Sequence, residues 1–494
     1  MQYIFIINKG NNYTITTNIY FKCLYLFMVR TTSDFLNSIN PENVYYRGKK
    51  IDNVVSHNIL GIGARHAAKL FNYSDRLYIG KSGEKISKYF KIPENSNDLI
   101  MRRELIYNIT NYCNGIFNIS QAIGSDAIFA LRIVCTKVDR KYNTTYSKNL
   151  ESLYQRCLKN DLTLAVAQTD TKGDRSKRPE GEDDPDSYLH ITKKDKKGIY
   201  VTGAKAHTTQ SIYADELIVI PYRNMTKKDS NYAVAFSLST KTPGLKFIVR
   251  PIDEVEGNAS CLLSKIDLEI ETTTIFDNVF IPWDHVYMAG EDEFAGELAN
   301  LFATFHRFTA VSYRAASANL YIGTASMMSE ANGIESASHI KNKILDMVQY
   351  KEIMTMSSYT AALFCEVDSG IAIPNPVYTN IGKLYSNENF YKLINGIIEI
   401  SGGILVTMPS VEDLENMEEE KYIYKYLSAA IPGEHRYELL RLAKELAGSS
   451  LAGYMLTLMA HAEGSVEASK IGLLKEYDIR ESKDIVKKIL LSKE

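Results

Sequence analysis

No two cysteines in this chain are paired by spacing. Cys23, Cys113, Cys135, Cys157, Cys261 and Cys365 are scattered, with no C-x-x-C. This excludes a disulfide framework and a cysteine metal cage, and predicts buried thiols in a reducing, cytoplasmic setting. Neither sign of charge is in excess: 57 Lys and Arg stand against 59 Asp and Glu, a formal net charge of −2. That balance argues against nucleic acid or a membrane surface as partner. Long hydrophobic runs are missing as well. The apolar stretch at 19–28 is too short to span a bilayer, and no basic n-region or small-residue cleavage site marks a secretory signal. Repeats, low-complexity segments and a nicotinamide-binding glycine fingerprint are all absent. Tryptophan occurs once, as Trp283, whereas tyrosine occurs 33 times; tyrosine suits cores and aromatic-lined pockets alike. What is present is 494 residues, 45% hydrophobic and 23% charged, an ordinary globular composition with room for two or three domains.

The chain changes character three times. Residues 1–28 are β-branched and aromatic with little charge, and read either as a strand hairpin around Gly10 or as an upstream extension, Met28 being the favoured start. Residues 29–164 carry helical spacing, with Ser33 as a cap and Phe35, Leu36 and Ile39 on one face, and predict an N-terminal all-α domain. Residues 165–289 hold short β-type runs such as GIYVTG, ELIVIP and YAVAFSLST, separated by Lys/Asp/Gly/Pro turns, which predict an antiparallel barrel or sandwich. Residues 290–494 return to longer helices, at 294–332, around 340–348, at 389–400 and at 434–459, and predict a four-helix bundle whose apolar faces suit a homo-oligomer. The fold class is therefore α+β, mainly α.

Two stretches stand out. AQTDTKGDRSKRP, at 167–179, is small, polar and mixed in charge, and GAKAHTTQS follows at 203–211. The first can offer backbone N–H groups, hydroxyls and the cations Arg175, Lys177 and Arg178 to a ring edge and a pyrophosphate. Alternatively, it is a solvated loop before an acidic turn.

IGSDA (123–127), TDTKGDR (169–175), DPD (184–186), GIYVTGAKAHTT (198–209), FDNVFIPWD (276–284), EFAGELANLFATFHR (293–307) and SGGILVTMPS (401–410) occur in order. With these motifs, residues 32–494 resemble the superfamily that joins 4-hydroxyphenylacetate 3-monooxygenases and 4-hydroxybutyryl-CoA dehydratases. The resemblance implies the acyl-CoA dehydrogenase-like fold, a tetramer and bound FAD. It implies that Gln168, Thr169, Asp170, Lys172, Gly173, Asp174 and Arg175 hold the flavin and its phosphates, with Thr209 at the reactive edge. Glu271 matches an active-site glutamate, and His306 a histidine that ligates a [4Fe-4S] cluster in the dehydratase branch. Gly464 and Ser465 open the final helical segment as a further phosphate-binding pair.

Departures from the resemblance matter equally. The positions of the other three cluster ligands hold Asn118, Ala122 and Tyr313, none of which supplies a thiolate, so no cluster and no metal is expected, Cys113 notwithstanding. Ala310 replaces a tyrosine and Arg314 a lysine. The expected glutamate before Gly464 is missing at Thr457 or Leu458, although Glu463 is close. The monooxygenase branch's arginine and tyrosine near IGSDA are absent, and Leu164 stands in place of its histidine.

His306 is thus a general base or the remnant of a lost site, and Glu271 a base or a solvated strand residue. Arg307, Tyr313 and Arg314 either meet an anionic substrate or pair within the protein. The expected function is a two-component aromatic monooxygenase using FADH2 from a separate reductase. The alternatives are a cluster-free acyl-CoA dehydratase- or isomerase-like enzyme, and a flavin- or CoA-binding protein without turnover.

Overall fold

A computed structural model describes residues 29–81 and 83–491. The readings made for residues 1–28, including the hairpin and the Met28 start, lie outside the described residues.

The N-terminal section is built on five helices, Thr32–Ser38, Leu60–Asn72, Ser96–Tyr112, Ala122–Tyr142 and Tyr146–Asn160. Thr31, not Ser33, caps the first, in a reciprocal capping box with Asp34. The section is not all-α. Val44–Tyr46 and Lys49–Ile51 form a hairpin whose turn residues, Arg47 and Gly48, both have positive φ (51° and 75°), as a tight two-residue turn demands. Val44–Tyr46 then pairs in parallel with Leu245–Val249. Three-residue strands are too short to show a period in sequence, which is why helical spacing dominated this region.

The expected β section forms two sheets rather than a closed barrel among the described residues. One has six strands, ordered Lys49–Ile51, Val44–Tyr46, Leu245–Val249, Thr272–Pro282, Gly198–Lys205, His190–Lys194. The other has four, ordered Val286–Ala289, Val234–Ser239, Glu216–Val219, Leu164–Ala167. Pairing is not uniformly antiparallel: Leu164–Ala167 runs parallel to Glu216–Val219. Alternating hydrophobicity reveals a strand but not its direction, and the connection from 168 to 215 is long enough for a crossover.

In the C-terminal section Asp292–Ala331, Ser338–Leu363 and Pro376–Ile400 pack on one another, with Gly433–Ala447 against them. The third begins earlier than its apolar stripe suggested, with Asn375 as cap and Pro376 in the first turn. Gly402 and Gly403, both left-handed, lie just past its end as expected. The reading of one helix over 434–459 is corrected to two, Gly433–Ala447 and Ser450–His461, because the Ser449 side chain accepts the Leu451 N–H and starts a new helix. No described helix is long and apolar enough to cross a membrane.

A buried ion pair links the loop that leaves one sheet to the other sheet. Asp170, just past Leu164–Ala167, pairs with Lys205, at the end of Gly198–Lys205, at 2.8 Å with both side chains almost wholly buried. Lys205 also donates to the Gln168 carbonyl (2.8 Å), and the Ala206 N–H to the Thr169 carbonyl (2.8 Å). Burial raises the Asp170 carboxyl and lowers the Lys205 ammonium, each against its partner's charge, so desolvation outweighs attraction. Asp170→Ala alone should therefore cost about 3–5 kcal/mol, while joint replacement of Asp170 and Lys205 by Leu and Met should cost far less. Urea denaturation checks this; a double variant as weak as the single one would refute it.

Candidate active site

The site lies where the 168–175 loop, the 203–211 segment, the 269–271 stretch, the Ala122–Tyr142 helix and the Asp292–Ala331 helix converge. Gly124 of IGSDA lets the first of these helices press on the strand that feeds the loop: a Cβ there would stand 2.2 Å from the Leu164 Cβ. Leu164 thus fills a packing position.

Within the 168–175 loop the charges are sorted. Asp170 is consumed by Lys205. Asp174 turns inward on its own loop, accepting from the Ser176 N–H and hydroxyl (2.9 and 2.8 Å), which hold it below the usual carboxylate range. Lys177 pairs with Asp183, and Arg178 with buried Asp229. Lys172 and Arg175 have no carboxylate partner among the described residues. Lys172 and Gly173 take positive φ (77° and 35°). Burial lowers Lys172, as does the Arg175 charge. Burial lowers His207 too, aided by Lys172 and by His461 from the bundle. Cations that repel one another without an acid between them form a place for an anion such as a pyrophosphate.

The 208–210 segment is riveted to the 270–272 stretch by Thr208 N–H to Thr272 O (3.0 Å) and Gln210 N–H to Ile270 O (2.7 Å). Thr209 Oγ1 donates to both Glu271 carboxylate oxygens (2.9 and 3.0 Å), and Tyr454 OH lies 3.4 Å from one of them. Burial pushes Glu271 up to about 7 despite these bonds. Thr208 Oγ1 and Gln210 Nε2 are buried without a hydrogen-bond partner. Orphaned polar atoms and unpaired cations along the same slot fit a ring-edge-and-phosphate ligand of the FAD type.

His306 is held from IGSDA. Its Nδ1 lies 3.3 Å from Asp126 Oδ2, and Phe302 stacks on its ring at 5.3 Å. Buried Asp126 also accepts from Arg102 (2.6 Å) and Thr309 (2.9 Å). With Nδ1–H committed to a carboxylate, Nε2 carries the lone pair of the neutral ring.

Seven residues along the same helix is a second centre. Tyr313 OH donates to Glu463 Oε1 (2.8 Å) and Arg314 to Oε2 (2.6 Å), and Lys383 stands 4.0 Å away. Burial alone would raise Glu463, but the Arg314 and Lys383 charges and the Tyr313 hydrogen bond, acting together, hold the carboxyl low. Arg307 donates to the Glu463 carbonyl (3.0 Å) and Asn380 (2.8 Å) and lies against Gly464, and burial lowers it to about 10. Both arginines are thus spent within the protein. Ser465 is spent as a helix cap, its hydroxyl accepting from the Ala468 N–H.

The cluster-ligand positions are likewise occupied by other work. Asn118 donates to the His66 and Ala67 carbonyls, and Tyr313 stacks on Phe117 at 4.4 Å. His66, Cys113 and Asp267 converge. However, both His66 nitrogens face acceptors, Asp267 (2.8 Å) and the Phe117 carbonyl (3.1 Å), and Lys69 holds both Asp267 oxygens. Burial pushes the Cys113 thiol up to about 12. This donor set suits an internal ion pair, not an iron–sulfur cluster or a cation.

Sequence reasoning missed Asp126, Arg102, Tyr454 and Glu269. Asp126 was visible inside IGSDA, and Glu269 alternates with Glu271 in DLEIE. Arg102 and Tyr454 carry no sequence signal.

Residues 31–288 match the family described as 4-hydroxyphenylacetate 3-hydroxylase N terminal, and residues 295–491 its C-terminal counterpart. The chain is 29% identical to 4-hydroxybutyryl-CoA dehydratase/vinylacetyl-CoA-Δ-isomerase of Clostridium aminobutyricum, over 94% of this chain and 99% of that protein. It is 26% identical to the oxygenase component of 4-hydroxyphenylacetate 3-monooxygenase of Thermus thermophilus, over 86% of this chain and 89% of that one. Among solved structures, an archaeal 4-hydroxybutyryl-CoA dehydratase from N. maritimus superposes with a TM-score of 0.87 (26% identity, covering 94% and 95%). The 4-hydroxyphenylacetate 3-monooxygenase oxygenase complexed with FAD and 4-hydroxyphenylacetate gives 0.85 (23%, covering 94% and 99%), a likeness of fold. With both halves matched along nearly its whole length, this chain belongs to the 4-hydroxyphenylacetate 3-hydroxylase family.

Proposed function

We propose that this protein is an FAD-dependent oxidoreductase that hydroxylates a 4-hydroxyphenyl-type ring, working without iron. Lys172, Arg175 and His207 would hold the phosphates of FAD between 168–175 and 203–211, and Thr209 would lie near its ring edge. When bound in its reduced form, that group would supply the two electrons by which O2 gives one oxygen to the ring and one to water. The observation that carries the reading is the Asp126–His306 pair, backed by Arg102. His306 Nε2 accepts the phenol proton, which makes the ring electron-rich. Asp126 keeps Nδ1 protonated and steadies the imidazolium that results. The reductase is a separate chain. Exposed Met356 and Leu363 on the Ser338–Leu363 helix, with Phe364 just past its end, favour assembly with further copies. The division at 29–164, 165–289 and 290–494 remains the working domain scheme, and the unpaired thiols favour a reducing cytoplasm.

A second reading is favoured by Glu271. A carboxyl near neutrality, steadied by Thr209, suits proton transfer along an uncharged acyl chain, as in double-bond isomerisation of an acyl thioester. Here Glu271 acts as base, held in place by the Thr209 hydroxyl.

With FADH2, O2 and 4-hydroxyphenyl substrates, catechol product is expected, and His306→Ala should lower kcat/KM about 10²–10⁴-fold. Absence of catechol with all such phenols would remove the first reading. Under the second, vinylacetyl-CoA becomes crotonyl-CoA at a rate that rises with pH and levels off above about 7, as Glu271 ionises. Glu271→Gln should abolish that conversion; a pH-flat rate would exclude Glu271 as the base.

A further inference from the structure

Thr209 holds the Glu271 carboxylate without choosing between its oxygens. Its hydroxyl stands 2.9 Å from Oε1 and 3.0 Å from Oε2 and so favours neither. Tyr454 breaks the tie, its hydroxyl lying 3.4 Å from Oε1. Among the described residues no further donor reaches Oε2.

Both ends of this contact are anchored. The Glu271 carbonyl accepts the Arg250 N–H (3.0 Å), which carries the pairing of Leu245–Val249 with Thr272–Pro282 one residue further. Ile270 and Thr272 on either side are buried, so alternation turns the Glu271 side chain to the opposite face. Tyr454 comes from the bundle, on the Ser450–His461 helix that the Ser449 cap starts afresh. Leu451, Ala452, Met455 and Met459 bury one face of that helix. Tyr454 stands at the edge of that face, its ring packed on the core and its hydroxyl at Glu271.

Arg250 fixes the ring. Its guanidinium lies 4.0 Å from the ring centre. It cannot slide, because Nη2 donates to the Glu254 carboxylate (2.5 Å) and the Glu269 carbonyl (3.1 Å), and Nη1 to the Pro251 carbonyl (2.9 Å). A cation on the face of a phenol draws electron density from the ring and makes its hydroxyl a stronger donor. The groups facing Glu271 are thus Arg250 from the strand end, Tyr454 from the bundle, Glu269 from its own stretch and Thr209. Burial raises Glu271, while the Thr209 bond, the Arg250 charge and the Tyr454 bond favour its ionised form.

We infer that Tyr454, backed by Arg250, is the positioning residue of Glu271: it engages Oε1 and leaves Oε2 as the oxygen that takes and returns a proton. This rests on the reading of Glu271 as a base. The proton passes from one carbon of the acyl chain to Oε2 and returns to another as the double bond moves, so no oxidant or reductant is consumed. No bond is made or broken at Tyr454.

The FAD-loaded protein, Tyr454→Phe and Glu271→Gln are compared by infrared difference spectroscopy across neutral pH. Bands absent in Glu271→Gln belong to Glu271. In Tyr454→Phe, which keeps a ring on Arg250, the ionisation midpoint should rise by about half a unit to one unit, because a donor to the ionised form is lost. The gap between the two carboxylate stretches should narrow, since Thr209 alone bonds both oxygens alike. Conversion of vinylacetyl-CoA below the midpoint should fall about threefold to tenfold, in step with the ionised fraction. Carboxylate stretches unmoved in Tyr454→Phe would overturn the inference, whatever the midpoint does. Should that variant not fold, the tyrosine C–O band of the unsubstituted protein decides: it should shift as Glu271 ionises, and a band that stays still overturns the inference. If the unsubstituted protein leaves vinylacetyl-CoA unchanged, the reading of Glu271 as base fails, and the infrared comparison still decides whether Tyr454 engages Oε1.

Discussion

The buried pair between Asp170 and Lys205 is the constraint on which the site's shape depends. It joins the end of one sheet to the end of the other, and around it the Gln168 and Thr169 carbonyls are bound by Lys205 and Ala206. Together with the Ala206–Thr169 backbone bond, it sets the separation between the loop carrying Lys172 and Arg175 and the segment carrying Thr209. A hydrophobic contact would hold the sheets as firmly but would not set register; a charged pair with defined donors does. Fixing the two edges fixes which cations stay free and where the hydroxyl of Thr209 meets Glu271.

From that frame follows a division of charge. At the loop end, Lys172 and Arg175 stand near His207 and His461 without carboxylate partners among the described residues, while Glu182 is turned onto the Asp174 N–H. At the bundle end Arg250 and Arg314 are neutralised by Glu254 and Glu463, and burial raises the Glu269 and Glu271 carboxyls. One end of the site thus carries cations without carboxylate partners, and the other carries buried carboxyls. His306, oriented by Asp126, stands beside the second end and supplies the basic nitrogen.

Much of this was legible in the sequence, for identifiable reasons. Long helices announce themselves by their apolar faces, and the glycine stop at 402–403 by its chemistry. The 167–179 stretch stood out because small and cationic residues lie close together there, and its flavin role was an expectation from the resemblance. The strands Val44–Tyr46 and Lys49–Ile51 were not, being too short for a period, and neither was the parallel pairing of Leu164–Ala167, since strand direction leaves no mark on alternation. In the site, residue type offered Arg307 and Arg314 to a substrate; only packing shows that the Glu463 carbonyl binds the first and its carboxylate the second. Asp170 resembled a cofactor ligand for the same reason. Arg102 and Tyr454 reach the site from distant parts of the chain, a relation that exists only once the fold has formed.

The central claim is that the slot pinned by Asp170 and Lys205 receives FAD and needs no iron. Titration of metal-depleted, cofactor-free protein with FAD, followed by flavin fluorescence, tests it most directly. The account predicts saturation at one FAD per chain, unchanged by added iron and sulfide and greatly weakened in a Lys172→Ala, Arg175→Ala variant. Failure to bind FAD, or binding only after a cluster has been assembled, would contradict it.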